Sequence, residues 1–305
     1  MNIFAASCPM KSRCRGETTQ APYRGGEVWP AGSRTSSRTV NAMSGDRRLI
    51  TIVTPCFNAA ATLQATLDSV AAQGYPNVEH IVIDGGSTDG TLDILARTAG
   101  ICYVSEPDSG RAEAANKGVR LGSGEIIGWL NADDTYEQGA LQAVADAFAD
   151  PADPLWVTGY CRIVDADGVE IRRAVTWYKN FLLRHYSLSL YLTQNFVPDP
   201  ATFVRRHVLD EVGLLDQNYK ISHDYDMWLR VARLGDPVVL RRYQSRFSMS
   251  EGTLSMSDFE RQFDEHARIA RRRGKGHQVP VAVNMVMSRL IVLVYRSLRL
   301  VRRLR

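Results

Sequence analysis

The chain of 305 residues carries a net charge of only +4, is 45% hydrophobic, and holds five cysteines with no CxxC pair and no zinc-ligand spacing. That length suffices for one sizeable core. The composition argues against a disulfide scaffold, a zinc module and a strongly basic nucleic-acid binder, and the cysteine usage fits a reducing compartment.

Residues 1–46 are rich in Arg, Ser, Thr, Gly and Pro without periodicity, and are expected to be a disordered basic segment. No secretory signal and no uninterrupted apolar span of about twenty residues is visible, so a cytoplasmic protein without a transmembrane helix is expected. From Leu49 to Thr54 a β-branched run ends at Pro55 and predicts the first strand. Asn58 then has the chemistry to cap a helix over Ala59–Gln73, with Leu63, Leu67 and Val70 on one face. A second strand, His80–Ile83, ends at Asp84 and a turn-rich loop, and a helix follows from Thr91 to Thr98. A third strand (Ile101–Val104), a helix (Gly110–Leu121), a fourth strand (Ile126–Leu130) and a helix (Glu137–Ala149) continue the alternation. Four repeats of strand and helix with short connections predict a doubly wound, mainly parallel α/β sheet, with every strand's carboxyl end on one rim.

Past Pro154 the rhythm breaks. A hairpin is expected over Leu155–Val164 and Val169–Arg173, helices over Arg205–Val212 and Tyr225–Leu234, a strand over Val238–Phe247 and an amphipathic helix over Asp258–Gly274. In the last stretch, Arg289, Arg296, Arg299 and Arg303 line one helical face and Leu290, Leu293, Val294, Val301 and Leu304 the other. Such a helix suits an anionic membrane surface or a second subunit.

The fourth strand runs straight into Asn131-Ala132-Asp133-Asp134. Two adjacent carboxylates at a strand end repel unless a cation lies beside them, and a divalent ion sharing phosphate oxygens meets that need. In open α/β sheets ligands bind at that end. Neither GxGxxG nor GxxxxGK[ST] follows the first strand, so the two common phosphate-cradling loops are missing.

Six segments in order carry a resemblance: TPCFNAAATL (54–63), VIDGGSTDGT (82–91), SEPDSGRAEAANKGVRLGSGEIIGWLNADD (105–134), NFVPDPATFVRR (195–206), VGLLDQNYKISHDYDMWLR (212–230) and FSMSEGTLS (247–255). Together they make residues 49–255 resemble the inverting family 2 glycosyltransferases of the GT-A fold. The resemblance implies a nucleotide-diphospho-sugar transferase with a donor half (47–150), an acceptor half (151–256) and C-terminal helices (257–305). It places Pro55 and Asn58 against the nucleotide, Asp84 on the base, Asp108 near the diphospho-sugar, and Asn131 to Asp134 in the DXD-like element. Within that element Asp133 faces ribose or metal, Asp134 binds the metal (Mn2+ or Mg2+), and Asp224 is the catalytic base. The implied partners are a nucleoside diphosphate sugar donor and a glycan or lipid-linked acceptor, with no nucleic acid.

Asp89 is expected only to cap the helix at Thr91, Asp226 to pair with Arg230, Trp228 to lie in the core, and His223 to be a surface histidine. Arg111-Ala112-Glu113 replaces a more aromatic triplet usual in the family. The QxxRW motif of the processive synthases is missing near Arg246-Phe247, which favours transfer of a single sugar. A sugar nucleotidyltransferase would need a glycine-rich basic loop after the first strand, where TPCFNAAAT stands. A nucleotide-sugar-binding protein without turnover would leave Asp224 dispensable.

Overall fold

The computed structural model describes residues 48–249 and 258–303, with side chains described as far as residue 297. The N-terminal segment and much of the FSMSEGTLS motif lie outside the described residues. Among the described residues one eight-stranded sheet organises the chain, in the order β3 (Ile101–Ser105), β2 (Val78–Asp84), β1 (Ile50–Cys56), β4 (Ile126–Trp129), β7 (Thr202–Arg205), β6 (Trp156–Val164), β8 (Val238–Ser248) and β5 (Thr135–Tyr136). Strands β1 (Ile50–Cys56), β2 (Val78–Asp84), β3 (Ile101–Ser105) and β4 (Ile126–Trp129) are mutually parallel where they pair. They are Val/Ile-rich, as expected for strands covered on both faces. Their carboxyl ends deliver Pro55, Asp84, Ser105 and Asn131 to a single rim.

Helices α1 (Leu63–Ala71), α2 (Thr91–Arg97), α3 (Arg111–Leu121) and α4 (Ala140–Phe148) connect these strands or follow them. The predicted inward faces hold: Leu63, Leu67 and Val70 of α1 and Leu141, Val144 and Phe148 of α4 are buried. Helix α3 comes close to β1 because Gly118 presents no side chain there, and an added Cβ would collide with Val53.

Two expectations need correction in this half. Helix α1 begins four residues later than the Asn58 cap implies. Asn58 takes a left-handed backbone conformation (φ 48°) and its side-chain oxygen accepts from the Thr88 N–H at 2.9 Å, so it ties two loops together instead of capping. The chain from Ala59 to Thr62 forms a separate turn. The predicted hairpin is only a stub, because β6 (Trp156–Val164) already pairs with β7 (Thr202–Arg205) on one edge and β8 (Val238–Ser248) on the other. The returning arm forms one bridge, Val164 to Glu170, and the chain turns into α5 (Arg173–Arg184). The sheet is therefore mixed: β7 runs antiparallel to both β4 and β6, and β5 (Thr135–Tyr136) antiparallel to β8.

The remaining helices are α6 (Leu188–Thr193), α7 (Arg206–Val212), α8 (His223–Val231), α9 (Phe259–Arg273) and α10 (Gln278–Arg303). Trp228 fixes α8 to the sheet. Its ring stacks on Trp156 and meets Trp129 edge-on, each at 5.7 Å between centroids. Contact area of this kind, with specific ring geometry, holds a helix at one height and rotation.

Helix α10 departs from the expectation that no segment can span a membrane. Gln278–Ser297 is long and apolar enough to do so by length and composition, and Arg289 and Arg296 are its only charged residues. Its orientation is unusual: Asn284 and Ser288 are buried against the domain, whereas Val283, Val286, Leu290, Leu293 and Val294 are exposed. The side chains of Arg299, Val301, Arg303 and Leu304 lie outside the described residues.

Candidate active site

A cavity of about 1050 Å³ opens along the rim where the parallel strands end, and reaches across to α5, α8 and the C-terminal helices. Pro55, Asn58, Asp108, Asn131 and Asp133 line one side and Asp224 the other, so residues widely separated in the chain share one space. Asp84 and Asp134 are not in its lining. Both are fully buried.

Asp84 is saturated. Its carboxylate accepts from the Gly86 N–H (3.1 Å), the Ser87 N–H (3.0 Å), the Ser87 hydroxyl and the Ser105 hydroxyl (2.6 Å). Burial alone would push its carboxyl up, but these donors hold it below the usual carboxylate range. The carboxylate that faces the cavity on this wall is Asp108. It packs over Gly85, where a Cβ would sit 2.9 Å from its Oδ2, and it accepts from the Gly110 N–H at 2.8 Å.

Asp134 is committed in the same way. Oδ1 accepts from the Ser248 N–H at 3.0 Å and Oδ2 from the Asn131 side-chain amide at 2.9 Å, while its carbonyl accepts from the Thr66 hydroxyl at 2.8 Å. Each carboxylate oxygen keeps a further lone pair, but the side chain is fully buried behind Asp133 and outside the cavity lining. Asp133 is half-buried and turned into the cavity. Burial pushes both carboxyls up, and the charge of Asp133 pushes Asp134 further. A pair so placed gains from an added cation. No cluster of three or more His, Cys, Asp or Glu side chains forms a metal cage among the described residues. Asp133 nevertheless fits a hard divalent ion that takes one protein carboxylate and completes its shell with phosphate oxygens and water.

Asp224 stands in the first turn of α8, with Ser222 at the cap, and Oδ2 accepts from the Asn195 amide at 3.3 Å. Two features outside the predicted set hold it there. Buried Glu265 of α9 accepts from the N–H groups of Lys220 (2.9 Å), Ile221 (3.0 Å) and Ser222 (2.9 Å), fixing the loop that leads into α8. Asp226 is clamped by Arg230 at 3.0 Å and by Arg273 at 2.7 and 3.0 Å, so the expected i,i+4 pair is part of a larger bridge between α8 and α9.

Asp199 is the acid that the motif reading passes over, although it lies inside NFVPDPATFVRR. It lines the cavity and its Oδ1 accepts from the Trp228 indole N–H at 3.1 Å. Burial first, then the charge of Asp224, pushes its carboxyl up to about 6. His223 is a second correction: it is buried, not on the surface, and its Nε2 accepts from Arg111 Nε at 2.9 Å. Asp89 behaves as expected for a capping residue, accepting from the Thr91 N–H (3.1 Å) and hydroxyl (2.6 Å).

Residues 51–213 match the model of the family described as glycosyl transferase family 2. The chain belongs to that family. It is 32% identical over 231 residues to an uncharacterised glycosyltransferase of Mycobacterium tuberculosis, covering 72% of this chain and 84% of that protein. It is 31% identical over 201 residues to a PGL/p-HBAD biosynthesis glycosyltransferase of Mycobacterium bovis, covering 64% of this chain and 73% of that one. Among solved structures, the mannosyltransferase PcManGT of Pyrobaculum calidifontis, in complex with GDP-Man and Mn2+, superposes with a TM-score of 0.57 at 18% identity over 83% of this chain and 76% of that chain. The S. aureus TarS 1–349 structure in complex with UDP-GlcNAc gives 0.56 at 18% identity, covering 72% and 66%. The match spans 39% of the longer TarS chain. At such identities the structural likeness speaks for the fold, which is the GT-A type. The protein is thus a family 2 glycosyltransferase.

Proposed function

We propose that the protein is an inverting, metal-assisted transferase that moves a single sugar from a nucleoside diphosphate donor to a hydroxyl of a glycan or lipid-linked acceptor. In this reading residues 47–150 carry the donor and 151–256 the acceptor, in envelope or exopolysaccharide assembly on the cytoplasmic side of a membrane. The observation that carries it is the convergence of Asp133 and Asp224 on one cavity from the two parts of the sheet. An inverting displacement needs a base on the acceptor side of the sugar and charge stabilisation on the leaving-group side.

Asp224 takes the proton of the acceptor hydroxyl as its oxygen attacks the anomeric carbon, and Asn195 orients the carboxylate through its bond to Oδ2. Pro55, Asn58 and Asp108 border the nucleotide, and Asp84 holds the loop that shapes this wall. Asp133 would hold the divalent ion, and Asp134 behind it fixes the strand end through Ser248 and Asn131. A bound Mn2+ or Mg2+ would supply Lewis-acid stabilisation of the charge that grows on the departing diphosphate. UDP-linked sugars are the first donors to test and GDP-linked sugars the second, since structural neighbours were solved with both kinds.

The exposed apolar side of α10 supports a seat in the membrane interface, where a lipid-linked acceptor would share the surface with the enzyme. Tyr295, on this helix, lines the same cavity.

A thermal-shift series with UDP-, GDP- and dTDP-sugars, with and without Mn2+, followed by incubation of the best donor in labelled form with membrane extract, tests the proposal. Stabilisation by one donor class and passage of label to an extractable acceptor are expected. Failure of every donor to bind, or binding without any transfer, overturns it.

A further inference from the structure

Arg111 opens α3 in place of the aromatic triplet usual in the family, and neither the donor motif nor the base accounts for it. Its guanidinium reaches into the acid-lined part of the cavity. Nε donates to His223 Nε2 at 2.9 Å, Nη1 donates to Asn131 Oδ1 at 3.0 Å, and Nη2 lies 3.9 Å from Asp199 Oδ2. A guanidinium has five N–H groups, and a 3.9 Å separation is an ion pair without a hydrogen bond. Two N–H groups are therefore spent and three remain for a ligand. The neighbouring His223 adds no charge, because the nitrogen that receives the Arg111 proton donor must be bare, and burial together with the Arg111 charge pushes its pKa well below the ordinary value. The positive end of Arg111 thus faces Asp133, Asp199 and Asp224 across a shared cavity with no second cation bonded beside it.

Arg172, Lys179 and Lys220 also line the cavity, but no hydrogen bond ties them to Asn131 at the end of β4, whereas Arg111 is held there beside Asp133, where the diphosphate of a donor would bring further negative charge. A planar guanidinium with free N–H groups matches phosphate oxygens in a two-pronged geometry that an ammonium cannot reproduce. Resting on the donor reading above, we propose that Arg111 is a built-in diphosphate anchor of the donor cavity, acting beside the divalent ion and retaining nucleoside diphosphate when that ion is removed. The same side chain bridges Asn131, at the end of β4, to His223, next to Asp224.

Isothermal titration of UDP and of GDP into the full chain, in Mn2+ and in excess EDTA, tests this with wild type, Arg111→Gln and Arg111→Lys, each checked for an intact thermal transition. Expected are measurable wild-type binding in EDTA, at least a tenfold loss for Arg111→Gln in EDTA with a smaller loss in Mn2+, and an intermediate value for Arg111→Lys. Should Arg111→Gln fail to fold, Arg111→Lys alone decides: a weakened Kd supports the anchor and an unchanged one overturns it. Wild-type binding that vanishes in EDTA, or an Arg111→Gln variant that binds within about twofold of wild type in both conditions, overturns the anchor while leaving the donor reading intact. A wild-type chain that binds neither nucleotide in Mn2+ overturns the anchor, and the donor reading falls with it when dTDP-sugars fail to bind as well.

Discussion

Two acids at the ends of the parallel strands are held in a way opposite to two acids across the cavity. Along β3-β2-β1-β4, Asp84 and Asp134 are fully buried and every carboxylate oxygen has a donor, five of them, the Cys56 thiol included, converging on Asp84. Across the cavity, Asp224 has one long bond from Asn195, and Asp199 has one indole N–H and a distant guanidinium. A buried carboxylate with donors on both oxygens holds a loop or strand end in place; one left partly bonded in a cavity is open to a proton or a sugar hydroxyl. The contrast teaches that acids placed at strand ends by the same motif divide into frame and chemistry according to what else bonds them.

The largest effect should come from the chemical side. Asp224→Asn preserves the shape and the Asn195 contact while removing the basic lone pair. A fall in transfer of about 10²–10⁴-fold is expected with donor Kd nearly unchanged, measured by label transfer and titration side by side. Wild-type turnover in this variant would remove Asp224 from the base role.

Next is the frame. Asp134→Ala strands the Ser248 N–H and the Asn131 amide in a buried setting, and about 3–5 kcal/mol of stability should be lost in chemical denaturation. Asp133→Ala should leave the denaturation midpoint within about 0.5 kcal/mol of wild type yet abolish the Mn2+-dependent part of nucleotide binding. Equal destabilisation by the two would erase the distinction between locked and free acids.

A third, smaller effect is visible in pH. His80 lies buried within β2, with its Nε2 2.9 Å from the Thr54 hydroxyl, and burial pushes its pKa down to about 4. The folded state therefore binds this proton less readily than the unfolded chain, whose histidine titrates near 6.5. The stability is present above about pH 6.5 and is lost as pH falls toward 4, by up to about 3 kcal/mol. His80→Gln should flatten that part of the wild-type curve, and parallel curves for the two proteins would exclude His80 as the source.

Strand-end acids, the four-fold alternation and the inward faces of α1 and α4 were legible because each depends on local pattern. What escaped depends on partners distant in the chain. Asn58 carries the chemistry of a helix cap, but Thr88, thirty residues later, takes its side chain. The second arm of the hairpin has the right turn, but β7 and β8 already occupy both edges of β6. His223 sits in a polar string, yet it is buried and bonded to Arg111, which arrives from α3. Glu265 gives no sequence signal at all, since it belongs to an ordinary amphipathic helix until three backbone N–H groups converge on it. The same limit applies to Asp84 and Asp134: the motif announces the acid, but not whether it is spent.

Helix α10 offers the gentlest test, because it lies on the open side of the comparison and its change should leave the fold untouched. Its inward side carries Asn284, which donates to the Tyr225 hydroxyl at 3.4 Å, and Ser288, whereas Leu290 and Leu293 are 51% and 57% exposed. A helix that turns amides inward and leucines outward is arranged for an apolar surface beyond the domain. Leu290→Ser combined with Leu293→Ser removes side chains of which about half is covered by the protein, so stability should fall by no more than about 1 kcal/mol. Co-sedimentation with anionic phospholipid vesicles should fall by about tenfold, given roughly 25 cal/mol for each Å² of apolar area withdrawn from the interface. If the double variant instead loses more stability than that, or sediments like wild type, this face packs elsewhere and the membrane seat is wrong.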